Sequence, residues 1–142
     1  MSGDETLALD ASLYEGLAGF RFALRRFLAF SEAVTSAAGI TSQQYQALLV
    51  IKTGSGGQTM IKDLADQMLL KHHGAVQLID RLVRAGLAER RHSPTDGRSV
   101  LVAMTAKGEK LLEQLASAHI KELPEHEPLL AESLSQLRSM AR

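Results

Sequence analysis

The chain has 142 residues, 45% of them hydrophobic and 23% charged, with Lys plus Arg equal to Asp plus Glu at 16 each and no cysteine. That length suits one domain or one unit of two lobes, and the charge balance leaves no global field to draw the molecule onto nucleic acid or membrane. The missing thiol excludes disulfides, thiolate nucleophiles, Cys-ligated zinc and thiol redox sensing.

The opening "MSGDETLALD" is acidic and lacks the basic start and apolar run of a secretory signal. No stretch reaches the ~18 to 20 apolar residues of a membrane span, so a cytoplasmic protein without membrane contact is expected. From Ala11 to about Ala38, Leu13, Leu17, Phe20, Leu24 and Phe27 recur at alternating steps of four and three, which predicts one long helix with a seam. Tyr14, Phe22 and Phe30 lie off that seam, so the helix is apolar on more than one side, as a helix that meets both its own body and a partner must be.

Thr41 with Gln44 three residues later forms a capping-box pattern, opening a second helix that ends at the glycines of "GSGGQ". Thr59 is the expected N-cap of a third helix, "MIKDLADQML", with Ile61, Leu64, Ala65 and Met68 on one face. After a break near Leu70 and Lys71 comes "HHGAVQLIDRLVRAG", whose inward stripe is Ala75, Leu78, Ile79, Leu82 and Val83 and whose end is marked by Gly86. At about 100° per residue, His73, Gln77, Asp80, Arg81 and Arg84 point away from that stripe.

"LAERRHS" and "SVLVAMT" read as two strands around "PTDGR", a β-hairpin with Gly97 and Pro94 shaping its tip. Thr105 caps a helix from Ala106 to about Leu123, "PEHEP" interrupts it, and Leu129, Leu130, Leu134, Leu137 and Met140 stripe a final helix after Pro128.

This order predicts a mainly α fold with a small β-hairpin wing, a winged helix-turn-helix of the α+β class. The expected binding lobe is residues 39–104, and the expected helical dimerisation region combines residues 11–38 and 105–142. Leucine stripes at both chain ends exceed what the lobe alone can bury, which calls for a two-fold partner.

Charge is segregated along the chain. From Lys62 to Arg98 seven basic residues stand against five acidic ones, whereas from Glu109 to Glu132 six Glu stand against Lys110 and Lys121. A major groove ~12 Å wide admits a helix, and the adjacent minor groove, ~6 Å wide, admits an extended arginine but no helix. On that geometry Arg98 at the hairpin tip enters the minor groove, oriented by Asp96. Gln77 and His73 are candidates for base edges, and Arg81, Arg84 and Lys71 for phosphates. Arg90 and Arg91 alternate across their strand, so one at most faces a duplex squarely, and Arg91 is taken with the contact set.

The plainer alternatives are a solvated turn with an ion pair worth ~0 to 1 kcal/mol for Asp96 and Arg98, and i,i+4 pairs of Gln77 with Arg81 and of Asp80 with Arg84 that merely steady the helix. No metal site and no cofactor are expected. His72 and His73 diverge on their helix, and Pro124 interrupts the alignment of His119, Glu122 and His126. The "GSGGQT" glycines lack the Gly-Lys-Ser/Thr of a phosphate loop and are read as a loop.

With "IKDLADQM", "LIDRLVRAGLAERRHSPTDGRSVLVAMTAKGEKLL" and the flanking helices, the chain resembles the multiple antibiotic resistance regulator (MarR) family from about Leu13 to Leu137. Its most specific pieces are Asp96-Gly97-Arg98 with "SVLVAMTAKGE", then "DRL" at Asp80 to Leu82. The resemblance implies a homodimer on double-stranded DNA, recognising a pseudo-palindrome and often released by a small aromatic or phenolic ligand. Tyr14, Phe22, Phe30 and Tyr45 are the aromatics that could line such a pocket, against core packing for each. Where relatives commonly carry Ser and Thr at the start of the recognition helix, this chain has Lys71, His72, His73 and Gly74. A winged-helix module that binds protein instead of DNA is the alternative, and an enzyme finds no nucleophile and base, nucleotide loop or metal set in the chain.

Overall fold

The computed structural model describes residues 11–95 and 99–141. Its elements run α1 (Ala11–Ala37), α2 (Ser42–Thr53), a single 3-10 turn (Ser55–Gly57), β1 (Gln58–Met60), α3 (Ile61–Met68), α4 (His72–Arg84), β2 (Ala88–His92), β3 (Val100–Met104) and α5 (Ala106–Met140). The described residues form two compact units, one lying within 32–118 and one made of 11–31 together with 119–141.

The central unit is a mainly helical lobe on a three-stranded antiparallel sheet of order β1-β3-β2. Thr41 accepts from the Gln44 N–H while the Gln44 side chain accepts from the Thr41 N–H, so the capping box starts α2 as its sequence predicts. The buried faces of α2, α3 and α4 meet at Leu48, Ile51, Leu64, Ile79 and Leu82, all closed to solvent, and Val102 of β3 fills the same core. Removing such side chains from water, at about 1.5 to 3 kcal/mol each, is what holds the lobe together.

Two expectations are corrected here. Thr59 is not an N-cap: it is buried in β1, paired with Val102, and Met60 begins α3 without a side-chain cap. The segment after the glycines is therefore a third strand, too short to show a period in the sequence.

Tyr45 is buried in this core. Burial holds its phenol above the ordinary value of about 10, because the anion is disfavoured away from water.

The terminal unit pairs residues of α1 with residues of α5 in antiparallel order. Its interior is made of small and polar groups: Ala23, Ser31, His119, His126 and Ser133 are buried. Gly16 lies against Leu137 and Gly19 against Ser133. His119 Nε2 and Ser31 Oγ share a hydrogen bond of 2.9 Å. The rings of His119 and His126 meet those of Phe27 and Phe30 at centroid distances of 5.4 to 6.2 Å. Meanwhile Leu17 and Leu24 of the expected seam are exposed, as are Tyr14, Phe22, Leu28, Ile120, Leu123 and Leu134.

The expected break at "PEHEP" does not occur, since Pro124 and Pro128 both lie inside a continuous α5. Each proline costs a backbone hydrogen bond, but both sit on an exposed side of the helix where water can satisfy the freed carbonyls. His119, Glu122 and His126 are thereby aligned after all. His126 Nε2 is 3.8 Å from Glu122 Oε1, and no three His, Asp or Glu among the described residues could hold a metal ion. No helix among them is long and apolar enough to cross a membrane.

At the start of α5, a Cβ on Gly108 would lie 2.0 Å from the Leu87 carbonyl oxygen. Gly108→Ala should therefore cost about 3 kcal/mol by overpacking, read as a lower midpoint in chemical denaturation. For Tyr45, a folded pKa raised above the unfolded one means a contribution fully present below pH about 10 and lost as pH climbs through the folded value. Wild-type stability should fall above that pH, and more gently in Tyr45→Phe.

Candidate nucleic-acid interface

The short helix α3 ends on Leu69, which caps it in the left-handed conformation at φ 54 and ψ 39. Its N–H reaches Ala65 O and Asp66 O, and the next N–H, from Leu70, bonds Ala65 O at 2.9 Å. This closes the turn and aims the chain into α4. Lys71 is the N-cap of α4 and offers no side-chain acceptor. The buried stripe of α4 is Ala75, Leu78, Ile79 and Leu82. Opposite it, His73, Gln77, Arg81 and Arg84 are exposed at steps of four, four and three, so they share one face. Lys71 and His72 are exposed just ahead of them.

The end of α4 is fixed from three sides. Gly86 takes φ 75, the left-handed value that glycine adopts without penalty, and turns the chain toward β2. Thr105 Oγ1 donates to Gly86 O at 2.6 Å and accepts from the Gly108 N–H at 3.1 Å. Lys107 Nζ donates to Ala85 O at 2.9 Å.

β2 and β3 then pair in register, Arg90 opposite Val102 and Arg91 opposite Leu101. The ladder continues past the strands through Ser93 N–H to Ser99 O at 3.0 Å. Asp96 and Arg98, the tip residues singled out in the sequence, lie outside the described residues.

Both arginines of β2 are engaged by carboxylates. Asp80 does not pair with Arg84; its carboxylate accepts from Arg90 Nη2, linking α4 to the hairpin. Arg91 folds along its own strand, with Nε 2.8 Å from Glu89 Oε1. Sequence spacing favours i,i+4 partners and cannot show a contact that depends on where a strand crosses a helix. The alternation of Arg90 and Arg91 was the one available signal.

Of the aromatics considered for a ligand, Tyr45 belongs to the core of the central unit, whereas Tyr14, Phe22 and Phe30 belong to the terminal unit. Tyr14 and Phe22 are exposed, and Phe30 packs on the two histidines. A different cavity, of about 700 Å³, opens in the central unit over Leu49, Ala106, Leu112 and Ala116, with the Lys52–Glu109 ion pair (2.9 Å) at its rim.

Comparison with known proteins agrees with this architecture. The model of the MarR family matches residues 38–99. The HTH-type transcriptional regulator FarR of Neisseria gonorrhoeae is 30% identical over 110 residues, which cover 78% of this chain and 72% of FarR. An uncharacterized HTH-type transcriptional regulator of Bacillus subtilis, YhbI, is 34% identical over 90 residues, 63% of this chain, and the match spans only 57% of YhbI. Among solved structures, the MarR family transcriptional regulator Sco3205 of Streptomyces coelicolor, in complex with DNA, has a TM-score of 0.77 at 18% identity, covering 98% of this chain and 91% of its own. At that identity the likeness shows the fold.

Leu69 has a positive φ and is 93% exposed as a residue, so it bears backbone strain without burial in return. Leu69→Gly should raise stability by about 0.5 to 1 kcal/mol, seen as a higher melting temperature.

Proposed function

Because this chain belongs to the MarR family of transcriptional regulators, we propose that it is a homodimeric repressor holding a pseudo-palindromic operator, one winged lobe on each half-site. As a regulator of this kind it is not an enzyme. The observation that carries the reading is the exposed face of α4, His73, Gln77, Arg81 and Arg84, set beside an arginine-bearing hairpin and backed by a fully packed core.

In this reading α4 enters the major groove. His73 and Gln77 face base edges, and Lys71, Arg81 and Arg84 hold phosphates and so fix register. Arg98 reaches the neighbouring minor groove with Asp96 orienting its guanidinium. The acidic residues that follow Glu109 keep the rest of α5 away from phosphate.

Support for the dimer comes from the terminal unit, whose large apolar side chains, Leu17, Leu24, Leu28, Ile120 and Leu134 among them, are exposed while its polar ones are buried. A cytoplasmic location follows from the same role. Release by a small aromatic or phenolic ligand completes the proposal, and the cavity over Leu49 and Leu112 is of a size to take one.

Selection from a fragmented genomic pool should return duplexes with two half-sites about 10 base pairs apart, centre to centre. On such a duplex Arg98→Ala should weaken binding and lower the slope of log affinity against log salt by about 0.9 per protomer. If the wild-type chain recovers no duplex at low salt, the regulator acts through protein contacts instead and the DNA reading is lost.

A further inference from the structure

The strand β2 alternates its faces. Ala88 is buried, so Ala88, Arg90 and His92 share one side and Glu89 and Arg91 the other. The Arg90 side is the one that meets α4, because its guanidinium closes on Asp80. Both side chains remain open to solvent, 36% for Arg90 and 42% for Asp80.

A duplex presents its two grooves on either side of a single sugar-phosphate strand. A protein that seats a helix in one groove and a hairpin tip in the next must hold that strand in the angle between the two elements. Arg90 and Asp80 occupy that angle.

Resting on the DNA reading above, we infer that Arg90 grips the phosphate strand between the two grooves and that Asp80 is its positioning residue. A guanidinium carries five N–H donors in a planar fork, and among the described residues Asp80 engages only the Nη2 end. The remaining donors stay available for a phosphate, which this fork can bind in a bidentate manner. Restraining the long side chain before DNA arrives reduces the conformational freedom to be lost on binding. An exposed ion pair by itself contributes little to stability, so a role in orientation accounts for the placement better than one in folding. Arg91 has the opposite arrangement, with Nε and Nη2 both turned to Glu89 on the far face of the strand.

The test uses the full chain and a labelled random-sequence duplex of about 40 base pairs, long enough for two half-sites about one helical turn apart. Affinity is followed by fluorescence anisotropy across a salt series, and thermal melts verify folding. Arg90→Ala should weaken binding about tenfold per protomer at about 50 mM salt and lower the salt slope by about 0.9 per protomer, whatever the sequence. Arg90→Lys, which retains the charge but not the fork, should keep the slope and recover only part of the affinity.

Asp80→Asn separates positioning from plain charge. It removes a negative group beside phosphate, so simple electrostatics tightens binding, whereas loss of positioning weakens it with the slope preserved. Tighter or unchanged binding in Asp80→Asn overturns the role of Asp80. If wild type binds and Arg98→Ala weakens it while Arg90→Ala leaves affinity and slope intact, Arg90 is only a bridge and the DNA reading survives. If wild type itself ignores the duplex, that reading fails and this inference with it.

Discussion

The geometry of the central unit depends on the Leu87 carbonyl. It accepts the Thr105 N–H at 3.1 Å and lies too near Gly108 to admit any side chain there. Through Thr105 and Lys107 the same junction ties the carbonyls of Gly86 and Ala85. The exit of α4, the return of β3 and the start of α5 are therefore fixed at one point. The angle between α4 and the hairpin is set there, and the proposed reading of two grooves requires that angle to be constant. The core supplies the free energy, while this small polar knot supplies the direction.

The terminal unit shows a different economy of side chains. A helix pair with leucines available would normally bury them, yet here the buried residues of the unit are Ala23, Ser31, His119, His126 and Ser133, and Leu137, which meets Gly16, is only half-buried. Gly16 and Gly19 let the helices approach closely, and the histidine rings pack edge-on against Phe27 and Phe30. His126 Nε2 is left without a hydrogen bond, since 3.8 Å to Glu122 is beyond that range. Such an interior gives modest stability. Exposed leucines on the outside are then consistent with a unit completed by a second copy, as the proposed function requires.

Much of the central unit was legible from the chain. The capping box at Thr41, the left-handed Gly86 and the inward stripe of α4 each follow from a local rule, and local rules are what a sequence displays. Features set by tertiary context were not. β1 has three residues and takes its identity from pairing with β3. Pro124 and Pro128 normally end a helix, and they are tolerated because both face water. The leucine seam of α1 was real as a period, but the period does not say whether it faces the partner helix of the same chain. At the interface, the polar face of α4 could be drawn from helical geometry alone, whereas the Asp80 to Arg90 link joins residues ten apart across a turn and is visible only once β2 is placed.

That link also bears on how a chain with no net charge can address a polyanion. Two arginines of the hairpin carry carboxylate partners, Arg90 with Asp80 and Arg91 with Glu89, so the hairpin strands contribute direction more than bulk attraction. Among the described residues no ion pair engages Lys71, Arg81 or Arg84, so the cations on and just before α4 are not neutralised by carboxylates. Non-specific binding grows with the number of unpaired cations at the phosphates, and specific binding grows with correct geometry at both grooves. In the proposed reading, firmly oriented contacts therefore gain more on the right duplex than on random DNA, which the cations still hold at low salt. The hold on the right duplex would then be sensitive to small changes in lobe geometry, as the proposed release by a ligand requires.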